Sequence, residues 1–113
     1  MRQWLCDPKI LCMNHILGEH SEIHMFVGTI NKGISIQGYL DNNLLEPEQL
    51  VLRHWELLKE MISRGMKHKS PLPNIQYWRM TDLQRSITID KESALMDLLS
   101  RCPKCKERSL QWI

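Results

Sequence analysis

The sequence predicts a mainly α-helical protein: a single compact domain of about three principal helices joined by long loops. Hydrophobic residues recur at helical spacing in three separate stretches of the chain. The one strand-like alternation, over residues 34–37, is too short to build a sheet. The length of 113 residues, with 42% hydrophobic and 25% charged residues, fits one globular domain over residues 1–113.

The first helix is expected over residues 8–31. Asp7 and Pro8 are typical of a helix start, as N-cap and first-turn residue. The sequence leaves open whether Gly18 bends the helix, and Gly33 is expected to end it. The predicted buried stripe consists of Ile23, Phe26, Val27 and Ile30.

Two further helices are expected over residues 47–64 and 90–101. Pro47 opens the first of these and Gly65 ends it, while Asp90 caps the second. Their predicted core residues are Val51, Trp55, Leu58, Ile62, Leu95 and Leu98. Long loops are expected over most of 32–46 and 66–89, and residues 102–113 form a basic tail that ends in an aromatic residue, Trp112, followed by Ile113.

The net charge of +2 is unevenly distributed. Residues 1–50 carry three Lys/Arg against six Asp/Glu, and residues 51–113 carry twelve against seven. The basic groups concentrate at 64–69 and 101–108, where they would suit either phosphate binding or ordinary solvation at helix ends. The sequence has no apolar run that would span a membrane or serve as a secretory signal, so we expect a cytoplasmic, intracellular protein, nucleoid-associated in a bacterium or phage-infected cell.

The four cysteines point away from a disulfide framework, because the sequence shows no secretory signal. Cys102 and Cys105 form a CxxC pair, which is typical of half a zinc site. Cys6 and Cys12 are not spaced like a second pair, although one of them would have to complete such a site. The spacing therefore favours free thiols with packing roles, and we expect no metal and no cofactor.

The segment from His20 to His24 is superficially similar to the HExxH zinc-protease motif. On a helix the two histidines point about 40° apart, whereas Glu22 lies roughly 180° from their midpoint. Glu22 therefore cannot act on a water bound between them. The sequence leaves open a metal site formed by the two histidines without Glu22, and it favours histidines that lie at the surface or line a groove. Glu22 instead lies at the border of the buried stripe, where a carboxylate can be tuned for proton transfer or be an ordinary surface group.

The order and spacing of several segments resemble one known family. The segments are Arg2, Asn14-His15-Ile16-Leu17-Gly18-Glu19-His20-Ser21-Glu22, Phe26-Val27-Gly28 and Glu60-Met61-Ile62-Ser63-Arg64-Gly65. Together they resemble the phage-type pyrimidine-dimer DNA glycosylases, also called endonuclease V, which have AP-lyase activity. The resemblance covers roughly residues 1–70, with a weaker match at 97–101.

The resemblance implies a repair enzyme whose N-terminal α-amine attacks the sugar C1′ of a lesion and forms an imine, followed by β-elimination. The matching positions are Met1 for the amine and Glu22 for the essential carboxylate. In model peptides α-amines have a pKa of about 7.7–8.0, which leaves an appreciable neutral fraction at neutral pH. Arg2, Asn14 and His15 are the implied DNA contacts beside the cleft, and the partner is damaged double-stranded DNA with its target flipped out. We also expect Arg64 and Lys67 to contact phosphates, and the protein to act as a monomer away from membranes.

Two features depart from the family pattern. Arginines that the family carries near Ser21 and Met25 are missing here, so recognition of damage is expected to differ. In addition, the large side chain of Arg2 argues against removal of Met1, so that Met1 itself would carry the reactive amine, after deformylation where the host formylates it.

Two other functions remain compatible with the sequence alone. One is a non-catalytic nucleic-acid-binding module in which basic residues around 64–69 and 101–108 act with stacking aromatic residues, Tyr77, Trp78 and Trp112. The other is a small zinc-binding protein that uses the cysteines.

Overall fold

The computed structural model describes residues 1–68 and 70–111, and within these ranges it contains helices and loops but no strand. Lys69, Trp112 and Ile113, which belong to the basic segment and the tail, lie outside the described residues. The helices are α1 (Met13–Asn31), α2 (Gln37–Asp41), α3 (Leu50–Ser63), α4 (Asp82–Arg85), α5 (Lys91–Arg101) and α6 (Pro103–Ser109). The predicted mainly helical class is confirmed.

Helix α1 begins at Met13, five residues later than expected. Asp7 does cap a helical turn, by accepting a hydrogen bond from the Lys9 amide at 3.0 Å, but that turn is a separate 3-10 turn, Pro8–Ile10. Extended backbone at Leu11 and Cys12 separates it from α1. The helix then continues through Gly18, ends before Gly33 and buries the predicted stripe.

Helix α3 buries a different face from the one predicted. Val51, Trp55 and Ile62 were expected in the core, but they are 41%, 56% and 61% exposed, so this prediction is wrong. The buried residues of the helix are Leu50, Arg53, His54, Leu57 and Met61. An arginine belongs to the inward face, and apolar periodicity counts such a residue as a surface position.

Arg53 is buried because Glu19 of α1 neutralises it. The guanidinium donates to both carboxylate oxygens, at 2.6 and 2.9 Å, and also to the carbonyl of Cys6 at 2.6 Å. Burial acts to lower the pKa of Arg53, but the hydrogen bonds and the charge of Glu19 outweigh it and raise that pKa. This bidentate pair fixes how α3 packs against α1.

The C-terminal part of the chain is more helical than the sequence predicts. α5 begins one residue after its expected start, and its cap is confirmed by Asp90, which accepts from the Ser93 amide at 3.0 Å. Leu98 is buried as predicted, while Leu95 is only partly buried. The short helices α2 and α4 lie within the expected loops, and α6 forms within the tail, where it packs against α5 and the Pro8–Ile10 turn.

The N-terminal segment is extended and firmly anchored. Gln3 is fully buried: its amide donates to the Leu44 carbonyl at 2.8 Å, and its side-chain Oε1 accepts from the Glu46 amide at 2.6 Å. Trp4 is buried in the core beside it. The start of the chain is therefore held against the loop between α2 and α3 and against the core. None of the helices in the described residues is long and apolar enough to span a membrane.

Candidate active site and two side-chain clusters

The N-terminus and Glu22 lie together in the structure. The backbone amide of Arg2 donates a hydrogen bond to Glu22 Oε2 at 3.3 Å. Met1, the next residue toward the terminus, is partly buried against the hydrophobic core. Glu22 lies on α1, and the extended N-terminal segment passes beside it. The carboxylate therefore contacts the residue that follows the one bearing the α-amine.

The side chain of Arg2 is held on the other side by α5. Its Nη1 atom forms an ion pair with Asp97 at 3.2 Å, and its guanidinium lies over the Trp4 ring at 4.1 Å. Asp97 also pairs with Arg101 at 2.8 Å. Burial lowers the pKa of Arg2, while the charge of Asp97 opposes that shift. Sequence reasoning did not name Asp97 and Trp4 as site residues; the weaker family resemblance at 97–101 was the available signal for Asp97.

The other expected DNA contacts are dispersed. Asn14 is exposed in the first turn of α1, and Lys67 is exposed in the loop after α3. Arg64 instead pairs with Glu60 at 2.7 Å and donates to the Pro8 carbonyl at 3.0 Å, so its guanidinium supports the fold. The structure thus brings Arg2 to Glu22, and it engages Arg64 with Glu60 and the Pro8 carbonyl.

His15 faces a cluster of thiols, which we call the thiol cluster: Cys12, His15, Cys102 and Cys105. Its Nδ1 atom lies 3.2 Å from the Cys12 sulfur and 3.5 Å from the Cys105 sulfur. Burial raises the pKa of Cys105 to about 12. Burial also acts to raise that of Cys102, but hydrogen bonds from neighbouring backbone and thiol groups outweigh it and lower the pKa. The four donor atoms lie within 4.8 Å of one another, so they could hold a metal ion.

The remaining four histidines form a second group, the histidine cluster: His20, His24, His54 and His68. The Nε2 atom of His68 lies 2.8 Å from that of His20 and 3.3 Å from that of His54. Burial, and the neighbouring imidazoles after it, lower the pKa of His20 to about 4. The pair His20 and His24 was expected at the surface or lining a groove; His20 is in fact only 9% exposed, and α3 and the following loop supply its partners.

An apolar groove of about 670 Å³ lies beside the histidine cluster rather than beside Glu22. His54 and His68 form part of its wall, together with Trp55 and Tyr77. The exposed Val51 and Trp55, which were expected in the core, line this groove. The groove and the Arg2–Glu22 site are therefore separate features.

The described part of the chain is a small helical fold in which a helix-borne carboxylate, Glu22, lies against the backbone amide of Arg2. The model of one family, described as pyrimidine dimer DNA glycosylase, matches residues 1–74. The chain therefore belongs to the pyrimidine dimer DNA glycosylase family, which makes it a DNA-repair protein acting on DNA. The comparisons with curated proteins and with solved structures gave no significant match.

Proposed function

We propose that the protein is a DNA glycosylase with AP-lyase activity that uses the α-amine of Met1 as nucleophile and Glu22 as its proton-transfer group. The amine nitrogen forms a bond to C1′ of the damaged nucleotide, and the C1′–base bond breaks as the base leaves with its electron pair and takes a proton. Opening of the sugar ring gives a protonated imine. Removal of a C2′ proton then expels the 3′ phosphate, and water releases the amine.

The observation that carries this proposal is the hydrogen bond from the Arg2 amide to Glu22. The contact is made by the residue that follows Met1, which supports a role for Glu22 as the proton acceptor of a nucleophilic terminus. The same negative charge is suited to stabilising the positive charge that develops on the sugar and the imine. Both groups belong to the part of the chain that matches the family.

Arg2 supports the site through its side chain. Asp97 and the Trp4 ring hold its guanidinium, and the side chain retains 16% exposure. We assign it a phosphate or base contact next to the reacting sugar, and we assign a second contact to Asn14 in the first turn of α1. The substrate in this proposal is double-stranded DNA with the damaged nucleotide flipped out, bound by a monomer whose residues 1–113 act as one domain.

Borohydride trapping tests the proposal. Protein with its first residue verified by mass spectrometry is mixed with duplex DNA that contains one abasic site, and borohydride reduces any imine to a stable adduct. We expect an adduct with the unmodified protein and none after acetylation of the N-terminus or its extension by one residue. DNA binding by the blocked protein serves as the control.

Two outcomes contradict the mechanism. An adduct formed by the blocked protein would identify a lysine, such as Lys67, as the nucleophile. The absence of any adduct with the unmodified protein, when it binds the same duplex, would instead indicate a DNA-binding module without lyase chemistry. Repeating the reaction on duplexes with a pyrimidine dimer separates base excision from strand cleavage.

A further inference from the structure

All five histidines and three of the four cysteines of the chain lie in the thiol cluster or the histidine cluster. We propose that the thiol cluster is a structural zinc site, with the three sulfurs of Cys12, Cys102 and Cys105 and the Nδ1 atom of His15 as ligands. The CxxC pair alone did not favour a metal. The fold brings to it a cysteine and a histidine from about 90 residues earlier in the chain.

The distances between the donor atoms fit tetrahedral zinc. Zinc bonds of about 2.3 Å to sulfur and about 2.0 Å to nitrogen place two sulfurs about 3.8 Å apart and a sulfur and a nitrogen about 3.5 Å apart. The sulfurs of Cys12 and Cys102 are 3.8 Å apart. The Nδ1 atom of His15 lies 3.2 and 3.5 Å from the sulfurs of Cys12 and Cys105. One ion at the centre can therefore bind all four donors with little rearrangement.

Backbone amides at the cluster are directed at the sulfurs. The Cys12 amide donates to the Cys105 sulfur at 3.2 Å, and the Cys105 amide donates to the Cys102 sulfur at 3.4 Å. Such donors stabilise thiolate rather than thiol, as the atoms surrounding a metal centre do. A disulfide would use only two of the three sulfurs and would give His15 no role, whereas a zinc ion accounts for all four side chains.

The ion would connect the two ends of the chain next to the Arg2–Glu22 site. Cys12 and His15 belong to the start of α1, and Cys102 and Cys105 to the start of α6. The His15 ring packs edge-on against the Trp4 ring, with centroids 5.8 Å apart, and the Arg2 guanidinium lies over the Trp4 ring. Four protein ligands leave no open position for water, so the role of the ion is structural rather than catalytic.

Native mass spectrometry and elemental analysis of the full chain, purified with zinc present, test this site. We expect Cys105→Ser to bind one zinc ion fewer than the unmodified protein and to unfold at a lower temperature. Cys6→Ser is the matched control: Cys6 is a partly buried thiol outside the cluster, so its replacement should leave the zinc content unchanged. With Co²⁺ in place of zinc, the absorption spectrum should show thiolate-to-cobalt charge transfer and strong visible bands of tetrahedral cobalt.

The proposal is overturned if the unmodified protein binds no zinc, or if Cys105→Ser and Cys102→Ser both retain the full amount. Where a variant fails to fold, thiolate-to-cobalt charge transfer in the unmodified protein decides the matter, because the histidine cluster offers no sulfur ligand. None of these readouts depends on glycosylase activity, so they are independent of the function proposed above.

A separate observation supports a second proposal, that the histidine cluster also binds a divalent transition-metal ion. An imidazole Nε2 atom has a single in-plane direction, which carries either one proton or one lone pair. The Nε2 atom of His68 nevertheless faces those of both His20 and His54, so a hydrogen bond can satisfy only one of these contacts. Within residues 1–68 and 70–111, the Nε2 atom of His24 is buried and finds no hydrogen-bond partner.

A cation bound by the converging nitrogens satisfies all four rings at once. The 3.3 Å separation between the Nε2 atoms of His68 and His54 matches that of two imidazole nitrogens on one zinc ion, which is about 3.3 Å. The 2.8 Å separation between the Nε2 atoms of His68 and His20 would widen by about 0.5 Å on binding. The ion would join α1, α3 and the loop at His68 beside the apolar groove.

Zinc stoichiometry separates the two sites. We expect two ions in the unmodified protein, one in Cys105→Ser, and none when His68→Gln is added to Cys105→Ser. His15→Ala in the Cys105→Ser background is the control, because this histidine lies outside the histidine cluster, and it should leave one ion. Cobalt at this site should lack the thiolate charge-transfer band. A folded Cys105→Ser protein that binds no metal would overturn the second proposal.

Discussion

The carboxylate of Glu22 is partly buried and fixed by a backbone amide, which suits a group that must transfer protons at one defined place. Glu22→Gln keeps the shape of the side chain but removes its negative charge and its ability to accept a proton. We expect a loss of about 10²–10⁴-fold in turnover, as is typical for general acid–base groups, with DNA affinity largely retained. Single-turnover cleavage of an abasic duplex measures the rate, and fluorescence anisotropy measures binding.

Glu48→Gln is the matched control for that experiment. Glu48 pairs with Arg85 at 2.7 Å on an exposed surface and has no assigned part in the Arg2–Glu22 site, so its replacement should leave the rate unchanged. If Glu22→Gln turned over as fast as the control, Glu22 would be a surface residue that merely anchors the Arg2 amide.

At the scale of elements, the packing of α1 on α3 depends on the pair between Glu19 and Arg53, each at most 1% exposed. Arg53→Met leaves the carboxylate buried without its partner, which should cost about 3–5 kcal/mol in the free energy of unfolding. Adding Glu19→Leu removes the orphaned charge and should restore much of that loss. Urea unfolding of both variants measures this. A double variant no more stable than Arg53→Met would show that shape, rather than charge pairing, limits the packing.

The same pair shows what the sequence could and could not predict. The stripe of α1 and the start of α5 follow apolar spacing and capping, so both were predicted closely. The inward face of α3 was not predicted, because it contains the charged Arg53. That residue can be buried only because Glu19, on another helix, neutralises it. The Arg2–Glu22 contact was predictable only through family resemblance, and the two clusters join residues from distant parts of the chain, which local spacing cannot reveal.

At the scale of the whole molecule, the family match ends at residue 74, whereas residues beyond that point contact the candidate site. Asp97 pairs with Arg2, and Cys102 and Cys105 lie in one cluster with His15. The second half of the chain thus supports the N-terminal segment that carries the proposed nucleophile. The same half holds the excess positive charge, with twelve Lys/Arg against seven Asp/Glu in residues 51–113.

That charge leads to a prediction for DNA binding by the whole protein. If Arg2, Arg64 and Lys67 contact phosphates, replacing each by Gln should flatten the plot of log affinity against log salt by about 0.9, because one fewer counterion is released. Because Lys67 is exposed, its variant should show only the weaker salt dependence and weaker DNA affinity, equally across DNA sequences. The Arg64 variant should also be less stable, because Arg64 contacts Glu60 and the Pro8 carbonyl. Lys32→Gln, at an exposed position after α1 in the acidic half, is the control and should leave the slope unchanged. An unaltered slope in the Lys67 variant would mean that this lysine is solvated in the complex, and that the phosphates are bound elsewhere on the basic half.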